Sequence, residues 1–572
     1  MKMKWKQSLV MCTVVASLLI PSASLHVIAG ESSVVKSSTD NNYLTSSIKE
    51  EVKSILNEQT PNGTRVGAVV RLYNEGAGVI RVPEYEVRVR TEEGVEYILR
   101  PSVANMTRIQ PKETVELSYM IVVDRYDVFS LKELSWVEVD EFVYPKLEKR
   151  IKSIPISAIE WKGENSVLSN PGGTKQWGEA FTIPVLSTSL EYKPISIREQ
   201  STSEGPMSII GLLAVNKSDV NKTIPDFRID GKSDKKMFKG KRLEQEVLTL
   251  EPNEQRYIHY AIPAGSELNR LTILTPESFA ADASTNINYA VGRLNVSLPG
   301  DETTALSYMN QLPAYVWSKP IQFDSLSKLI QPEVDISMEA LHINESAGGG
   351  YKAAVAKFKL QNRSDQPIPV PKFQAGLMSV SGKKYLGVRQ NTQVETLIPN
   401  ISYVIYYSFI LPSTETGARL AMEILDGQLV APYNIPIAAF QTQVQPTKLN
   451  DNKLLDFYPY KANLSDWKVG RSYNPASSQP YSIKLNLDWS IEIEDELVVD
   501  QNFSRLKIET TDANGKVMGS KFLSLTGENR LTSGVQTLSF DSTQLETTLI
   551  LQIYESIDTP FGEVKRLLQT LR

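Results

Sequence analysis

The chain has 572 residues, a formal net charge of −5, 41% hydrophobic and 22% charged residues, with both signs interspersed. That length exceeds one hydrophobic core and predicts roughly three to five domains. The composition excludes wholesale disorder, and no basic stripe of the kind that nucleic acid or an anionic membrane selects is present.

Lys2, Lys4 and Lys6 precede an uncharged apolar run from Ser8 to Ile20, which Pro21 ends. Small residues follow in Ser22-Ala23-Ser24 and Val27-Ile28-Ala29-Gly30. This is the layout of a secretory signal peptide, and the run is shorter than the about 20 residues of a membrane span. Residues 1–29 are therefore expected to be removed after Ala29, with Ser24 as the second position; an uncleaved anchor is the alternative. Met11 stands before Cys12 where a lipoprotein carries a small residue, and the apolar run continues past that cysteine. Cys12 is the only cysteine, so the mature chain has no disulfide and must be held by its hydrophobic cores. Cysteine avoidance in an exported chain points to a Gram-positive bacterium. The expected location is extracellular and cell-wall associated, without a transmembrane segment in the mature chain or an LPxTG-type sorting signal.

After a polar linker over residues 30–45, three segments share spaced anchors. They are Leu72-Tyr73-Asn74 with Val82-Pro83-Glu84-Tyr85, Ala214-Val215-Asn216 with Ile224-Pro225-Asp226-Phe227, and Leu360-Gln361-Asn362 with Val370-Pro371-Lys372-Phe373. In each, a proline lies nine positions after the asparagine and an aromatic two beyond the proline. A glutamate lies 16, 17 and 17 residues before the asparagine, at Glu58, Glu199 and Glu345. Downstream, Gln110-Pro111-Lys112, Glu251-Pro252-Asn253 and Ile398-Pro399-Asn400 each precede a tyrosine-containing run, which includes Tyr119, Tyr260 and Tyr407. Ordered anchors at near-constant spacing predict tandem homologous domains over residues 46–160, 180–300 and 333–446, joined by linkers over 161–179 and 301–332. A linker over 447–460 then leads to a degenerate fourth copy over 461–572. There, Trp467-Lys468-Val469 and the strand Ile483 to Trp489 match the early elements, without the asparagine or the proline.

The apolar stretches are short, rich in Val, Ile, Tyr and Leu, and bounded by Gly, Pro, Asn and Asp, which predicts strands. Period-two alternation is visible in Tyr85-Glu86-Val87-Arg88-Val89-Arg90, in Trp136-Val137-Glu138-Val139-Asp140 and in Leu485-Asn486-Leu487-Asp488-Trp489. Ile48, Val52, Ile55 and Leu56 have helical spacing, but the repeat places Ser54 to Asn57 on a first strand. The asparagine is expected to end a strand, through positive φ or a bond to the following backbone. The proline is expected at a strand start or on an edge, and the aromatic in the core. Asp512-Ala513-Asn514-Gly515-Lys516 and Val380-Ser381-Gly382-Lys383 read as hairpin turns. Repeats of about 100 patterned residues predict an all-β chain of two-sheet sandwiches. The asparagine, proline and aromatic pattern, with the later Pro-Lys or Pro-Asn, resembles immunoglobulin-like domains of uncharacterised secreted proteins of Gram-positive bacteria. That resemblance implies tandem immunoglobulin-like β-sandwich domains outside the cell and assigns no chemistry.

Catalytic signals are scarce. Removing His26 with the signal peptide leaves His259 and His342, each between apolar strand neighbours, too few for zinc or for a triad with a Gly-x-Ser-x-Gly elbow. Gly231-Lys232-Ser233 lacks the earlier glycine of a phosphate loop, and Gly348-Gly349-Gly350 reads as a turn. Glu492, Glu494, Asp495 and Glu496 form the densest carboxylate group, in the pattern of a solvated strand face, with no cleft expected to serve them. No catalytic, metal or cofactor residue is assigned. Trp161, Trp177, Trp317 and Trp467 fall in or near the linkers, where packing against the neighbouring domain is one reading and stacking on sugar rings the other; Trp177 and Trp317 are the candidate ligand-binding residues on the second. The expected role is a non-enzymatic surface or matrix protein acting as a multidomain spacer or adhesion scaffold, with a cell-wall polysaccharide-binding module as the alternative. Cell-wall polysaccharide and another surface protein are the candidate partners, and nucleic acid is excluded.

Overall fold

The computed structural model describes residues 43–163, 173–234, 236–265, 267–299, 305–346, 349–447, 454–494, 496–542 and 549–572. The signal-peptide and cleavage positions, Cys12, Asn165 to Pro171, Gly348 and Asp495 lie outside them. Most of the described residues are strand; one short helix, Ala305–Gln311, is the sole α-helix among them.

Four units follow one plan of seven principal strands. In the first these are Ile48–Thr60, Gly63–Asn74, Glu86–Thr91, Glu96–Pro101, Thr114–Val123, Leu131–Asp140 and Leu147–Pro155. Strands one, two and five form one antiparallel row and strands four, three, six and seven the other, and in this unit the end of strand four pairs with strand five, so that the two rows join. The second unit repeats the order with Ser187–Thr202, Gly205–Asn216, Arg228–Lys232, Met237–Phe238, Gln255–Ile262, Arg270–Ala280 and Asn286–Ser297. The third uses Val334–Ser346, Tyr351–Asn362, Gln374–Ser379, Lys384–Leu386, Ser402–Pro412, Leu420–Val430 and Tyr433–Thr442. The fourth uses Tyr460–Tyr473, Tyr481–Ile493, Arg505–Thr511, Val517–Leu523, Gly534–Ser542, Ile550–Thr559 and Gly562–Leu571. In each unit the inward faces of both rows contribute to one buried apolar cluster.

Register makes the correspondence specific. Every first strand carries a bulge, at Lys53, Ile195, Glu339 and Ser465. Every sixth–seventh pair carries another, directly after Trp136, Ile273, Ile424 and Ile553, which are all buried. Bulges bend a strand and raise its twist, so matched bulges give four units the same curvature. The same register explains why the fourth copy is degenerate in sequence. Counting from the bulge, Ile493 occupies the asparagine position, Ser504 the proline, Leu506 the aromatic and Gln536 the tyrosine.

The anchors of the first three units have defined work. Asn216 is fully buried at the end of its strand, and its Nδ2 donates to the carbonyls of Val220, Leu250 and Glu251. Its Oδ1 accepts from the Ser218 backbone N–H and hydroxyl. Asn74 and Asn362 repeat this with Gly78, Ile109 and Gln110, and with Gln366 and Leu397. The bond to the following backbone is as expected; positive φ is not found there. It falls instead on Lys112, Asn253 and Asn400, at φ 63°, 62° and 60°, directly after the repeated proline. Proline presets the first corner of a type II turn and the next residue must be left-handed. The N–H of that residue donates back to the carbonyl of Asn74, Asn216 or Asn362, which ties the two motifs together.

Pro83, Pro225 and Pro371 sit in the extended steps between a two-stranded ribbon and the third strand, where no ladder bond is lost. Phe227 and Phe373 fill the core, while Tyr85 is half-buried. Tyr260 Oη donates to the Phe227 carbonyl at 3.0 Å, and Tyr407 makes the same bond to Phe373. The strand over Ser54 to Asn57 is present and no helix replaces it. Val87 and Val89 point into the core as the alternation requires. At Trp136-Val137 the alternation fails: both are buried because the bulge between them resets the pleat. Both expected hairpin turns form, with Gly515 and Gly382 at positive φ.

Candidate functional site: the junctions between units

The expected linkers are structural elements. Trp161 lies in a short strand parallel to Ile55–Leu56 and is buried against Gly292, where a Cβ would come within 2.4 Å of the indole. Residues 301–332 contribute the helix Ala305–Gln311, and residues 447–460 contribute the strand Leu454–Phe457 with Phe457 in the fourth core. These segments help the units to pack directly on one another.

All three junctions use one arrangement. The part of the sixth–seventh hairpin that extends beyond the third strand lies on the outer face of the preceding unit's three-strand row. At the first junction Leu56 and Met120 meet Trp161, Phe279 and Val291. At the second, Met207, Ile209 and Ala261 meet Val430 and Ile435. At the third, Ala353, Val355, Val404 and Tyr406 join the fourth unit's core with Ile557 and Val564. The ladder also continues from Glu345–Ser346 to Val564–Lys565, so the rows merge into a single sheet across that junction.

Each apolar contact encloses one glutamate from the later hairpin and a cation from the earlier unit. Glu277 accepts from Lys53 Nζ at 3.1 Å and Ser54 Oγ at 2.8 Å; Arg293, beside it, donates to the Lys53 carbonyl at 2.8 Å. Glu423 pairs with Arg198 and accepts from Tyr308 Oη at 3.2 Å, and Gln200 exchanges two bonds with the Asn434 backbone. Glu555 accepts from Lys357 and from Arg566 Nη2 at 2.6 Å, with all three side chains buried. Burial acts against the Glu555 carboxylate, but Lys357 and Arg566 overcome it and hold its pKa far below the usual carboxylate range. His342, near this cluster, is pushed down to about 4 by burial and by the Arg566 charge. Its Nδ1 lies 3.1 Å from the Gln445 carbonyl, which can only accept, so Nδ1 carries the proton.

Clefts open at the junctions, among them two that gather several carboxylates. One of about 930 Å³ lies between the first and second units, with Arg65, Lys241 and Arg242 facing Glu58, Glu244 and Glu246. Beneath it His259 is buried, its Nδ1 2.8 Å from Glu244 Oε1, and no hydroxyl or thiol of a described residue is hydrogen-bonded to the ring. The other, of about 570 Å³, lies between the third and fourth units and gathers Asp335, Glu339, Glu492 and Glu494 with Lys359 and Lys461. The carboxylates of the fourth unit thus do line a cleft, contrary to expectation: the fusion of the two units brings the end of the Tyr481–Ile493 strand against the third. Glu494 is held by Lys359 at 2.7 Å, Lys461 stands across the strand pair from Glu492, and Glu339 accepts from the Ser318 and Ser337 hydroxyls. Among the described residues no group of three or more His, Cys, Asp or Glu is placed to hold a metal ion.

Trp177 and Trp317 are both half-buried and belong to different units. Trp177 packs on the second core, and Trp317 packs on the third core with Tyr315 at 5.8 Å in an edge-on arrangement. Neither lines the two clefts. Gly231-Lys232 is strand, which removes the phosphate-loop reading, and Gly349 and Gly350 occupy a bend at positive φ. Sequence reasoning missed the buried pairs at the junctions. Their one signal is a lone charge inside an otherwise apolar strand, as Lys357 within Ala353–Phe358 and Glu423 within Leu420–Leu425.

No family model and no curated protein matches the chain. Among solved structures, a DUF4785 family protein from Legionella pneumophila aligns at 13% identity over 70% of this chain and 96% of its own, with a TM-score of 0.15. Dimeric latent PorU from Porphyromonas gingivalis aligns at 8% identity over 67% of this chain and 34% of its own, with a TM-score of 0.12. Likenesses this weak carry no argument about fold or role, so the chain's character rests on its own geometry: an all-β protein of four register-matched units joined by buried contacts.

Proposed function

We propose that the units are immunoglobulin-like β-sandwich domains and that the chain is an exported, non-enzymatic surface or matrix protein, a stiff spacer that holds its two ends apart. The observation that carries this reading is the repeated junction, in which every later hairpin buries apolar side chains and a neutralised glutamate on the unit before it. A hinge would expose that glutamate's cation partner and the apolar face together, so the closed junction is favoured and flexing is opposed. The strand order, one–two–five against four–three–six–seven around one core, supports the immunoglobulin-like assignment. The uncharged run from Ser8 to Ile20 after three lysines supports export.

Small-angle X-ray scattering of the full chain tests the spacer. A single rigid elongated particle is expected, unchanged between low and high salt; a broad, salt-dependent distribution of dimensions would defeat it. Fractionating the producing cells tests export, with the protein expected in the medium and wall fractions and absent from the cytosol.

A further inference from the structure

The array is unequal at its two ends. In the second, third and fourth units the outer part of the sixth–seventh hairpin is occupied: Phe279 and Val291, Val430 and Ile435, Ile557 and Val564 are all buried against the preceding unit. The first unit builds the same hairpin on the same bulge, after Trp136, and no other described unit packs on it. Its outer part, residues 138–150, is exposed throughout except for half-buried Val139. At its tip Phe142 and Tyr144 are 101% and 99% exposed, with Val143 and Leu147 exposed beside them. Single exposed apolar residues need no explanation, but two fully exposed aromatics on one hairpin tip do.

The opposite end is finished differently. The outer face of the fourth unit's three-strand row presents Lys484, Asn486, Asp488, Thr537 and Ser539 around a single exposed valine, Val535; the third unit presents Ala353 and Val355 at the registers of Lys484 and Asn486, and Tyr406 at that of Val535. A polar outer face is how a repeat array is capped. Among the described residues there is thus one hairpin without an acceptor, and the matching face at the other end is mainly polar.

We propose that the Phe142-Val143-Tyr144 hairpin is a docking element for a separate protein, and that the surface it takes is the outer face of an antiparallel row of strands, apolar and holding one lysine or arginine. The internal junctions define that chemistry, since Lys53, Arg198 and Lys357 are the cations that meet the incoming hairpins. The free hairpin offers Glu138, Asp140 and Glu141 beside its aromatics. Among the described residues Glu141 pairs with Lys146 at 2.8 Å and Glu138 distantly with Lys149 at 3.8 Å, both at the exposed surface, so either can exchange to a partner's cation. Over Glu138 to Arg150 four acidic residues stand against three basic ones, which disfavours an anionic bilayer as the occupant.

The docking role does not depend on export and can be tested in the full chain. Lys484→Ala, Asn486→Val, Asp488→Lys and Val535→Tyr place the third unit's acceptor residues at the matching registers of the fourth. In sedimentation velocity the wild type is expected as a monomer, and the grafted chain as concentration-dependent head-to-tail oligomers. Phe142→Ser with Tyr144→Ser in the grafted chain should return it to monomer, a loss of at least about tenfold in association constant. A grafted chain that keeps its β circular dichroism but stays monomeric overturns the proposal, as does association that survives the Phe142→Ser and Tyr144→Ser changes. If the fourfold graft does not fold, Asn486→Val with Asp488→Lys is scored in the same way. Wild-type chain that co-sediments with phosphatidylcholine vesicles, and stops doing so with Phe142→Ser, would assign the tip to a bilayer and also overturn it.

Discussion

Lys357 of the third unit donates to Glu555 of the fourth, and each side chain is only 2% exposed. Arg566 supplies the second positive charge, so the carboxylate is compensated but one cation remains in excess. Removing a partner from such a group costs far more than the group contributes, because an ion is left without water or counter-charge. Glu555→Ala, which leaves Lys357 and Arg566 buried without a counter-charge, should destabilise the chain by about 3–5 kcal/mol in urea unfolding. The triple change Lys357→Met, Glu555→Leu, Arg566→Met should come within about 2 kcal/mol of wild type or exceed it. A triple variant as weak as the single one would mean that the ions hold the junction and not merely its geometry.

Buried Asn216 donates to the Val220, Leu250 and Glu251 carbonyls, the last of which also accepts from the Glu254 N–H. Asn216→Ala removes these bonds and should cost about 3 kcal/mol, with Asn74→Ala and Asn362→Ala close to it. Ile493→Asn, at the matching position of the fourth unit, should gain nothing, because Ile493 is exposed and no turn waits for the amide there. Denaturant melts of the four variants measure this directly.

Lys112 occupies the left-handed corner that the turn after Pro111 imposes. A side chain there costs about 1–2 kcal/mol relative to glycine, offset by glycine's larger loss of entropy on folding. Lys112→Gly should therefore raise stability by up to about 1 kcal/mol, whereas Lys112→Val should lower it by about 2 kcal/mol. Equal melting temperatures for the two variants would contradict the turn assignment.

His342 has its pKa lowered to about 4 in the folded chain, against 6.5 when free. The unfolded chain binds more protons between those values, so stability rises with pH across the window and is lost as pH falls from about 6.5 to about 4. Lys357, Glu555 and Arg566 are the charges acting on the ring, and the Gln445 carbonyl holds its Nδ1–H. Its partial exposure reduces the effect to about 2 kcal/mol. His342→Gln should flatten the stability profile between pH 4 and 6.5 relative to wild type.

Trp177 and Trp317 separate the spacer from a glycan-binding role. The chain is expected not to be retained on insoluble cell-wall glycan, and Trp177→Ala and Trp317→Ala are expected to lower the melting temperature, since each indole packs on a core. Retention that either substitution abolishes without loss of stability would favour stacking on sugar.

What could be read from the residues alone was local or periodic. Strand content, the hairpin turns at Gly382 and Gly515 and three of the four repeats follow from alternation, turn chemistry and fixed spacing, all of which act over a few neighbours in the chain. The place of Asn74, Asn216 and Asn362 at strand ends was legible too, although the positive φ belonged to the residue after the later proline. The fourth unit was legible only as a degenerate copy, from Trp467-Lys468-Val469 and the strand Ile483 to Trp489, because Ile493, Ser504, Leu506 and Gln536 keep the register while dropping every anchor. The junctions depended on tertiary structure entirely. Lys357 and Glu555 lie 198 residues apart, and neither charge reveals its partner until two units close on each other. Trp161 was read as a linker aromatic for the same reason, although it completes a core that exists only between units. Backbone propensity acts within a strand; burial of charge and of aromatic surface acts between strands brought together by the fold, and that is where this protein's joints are made.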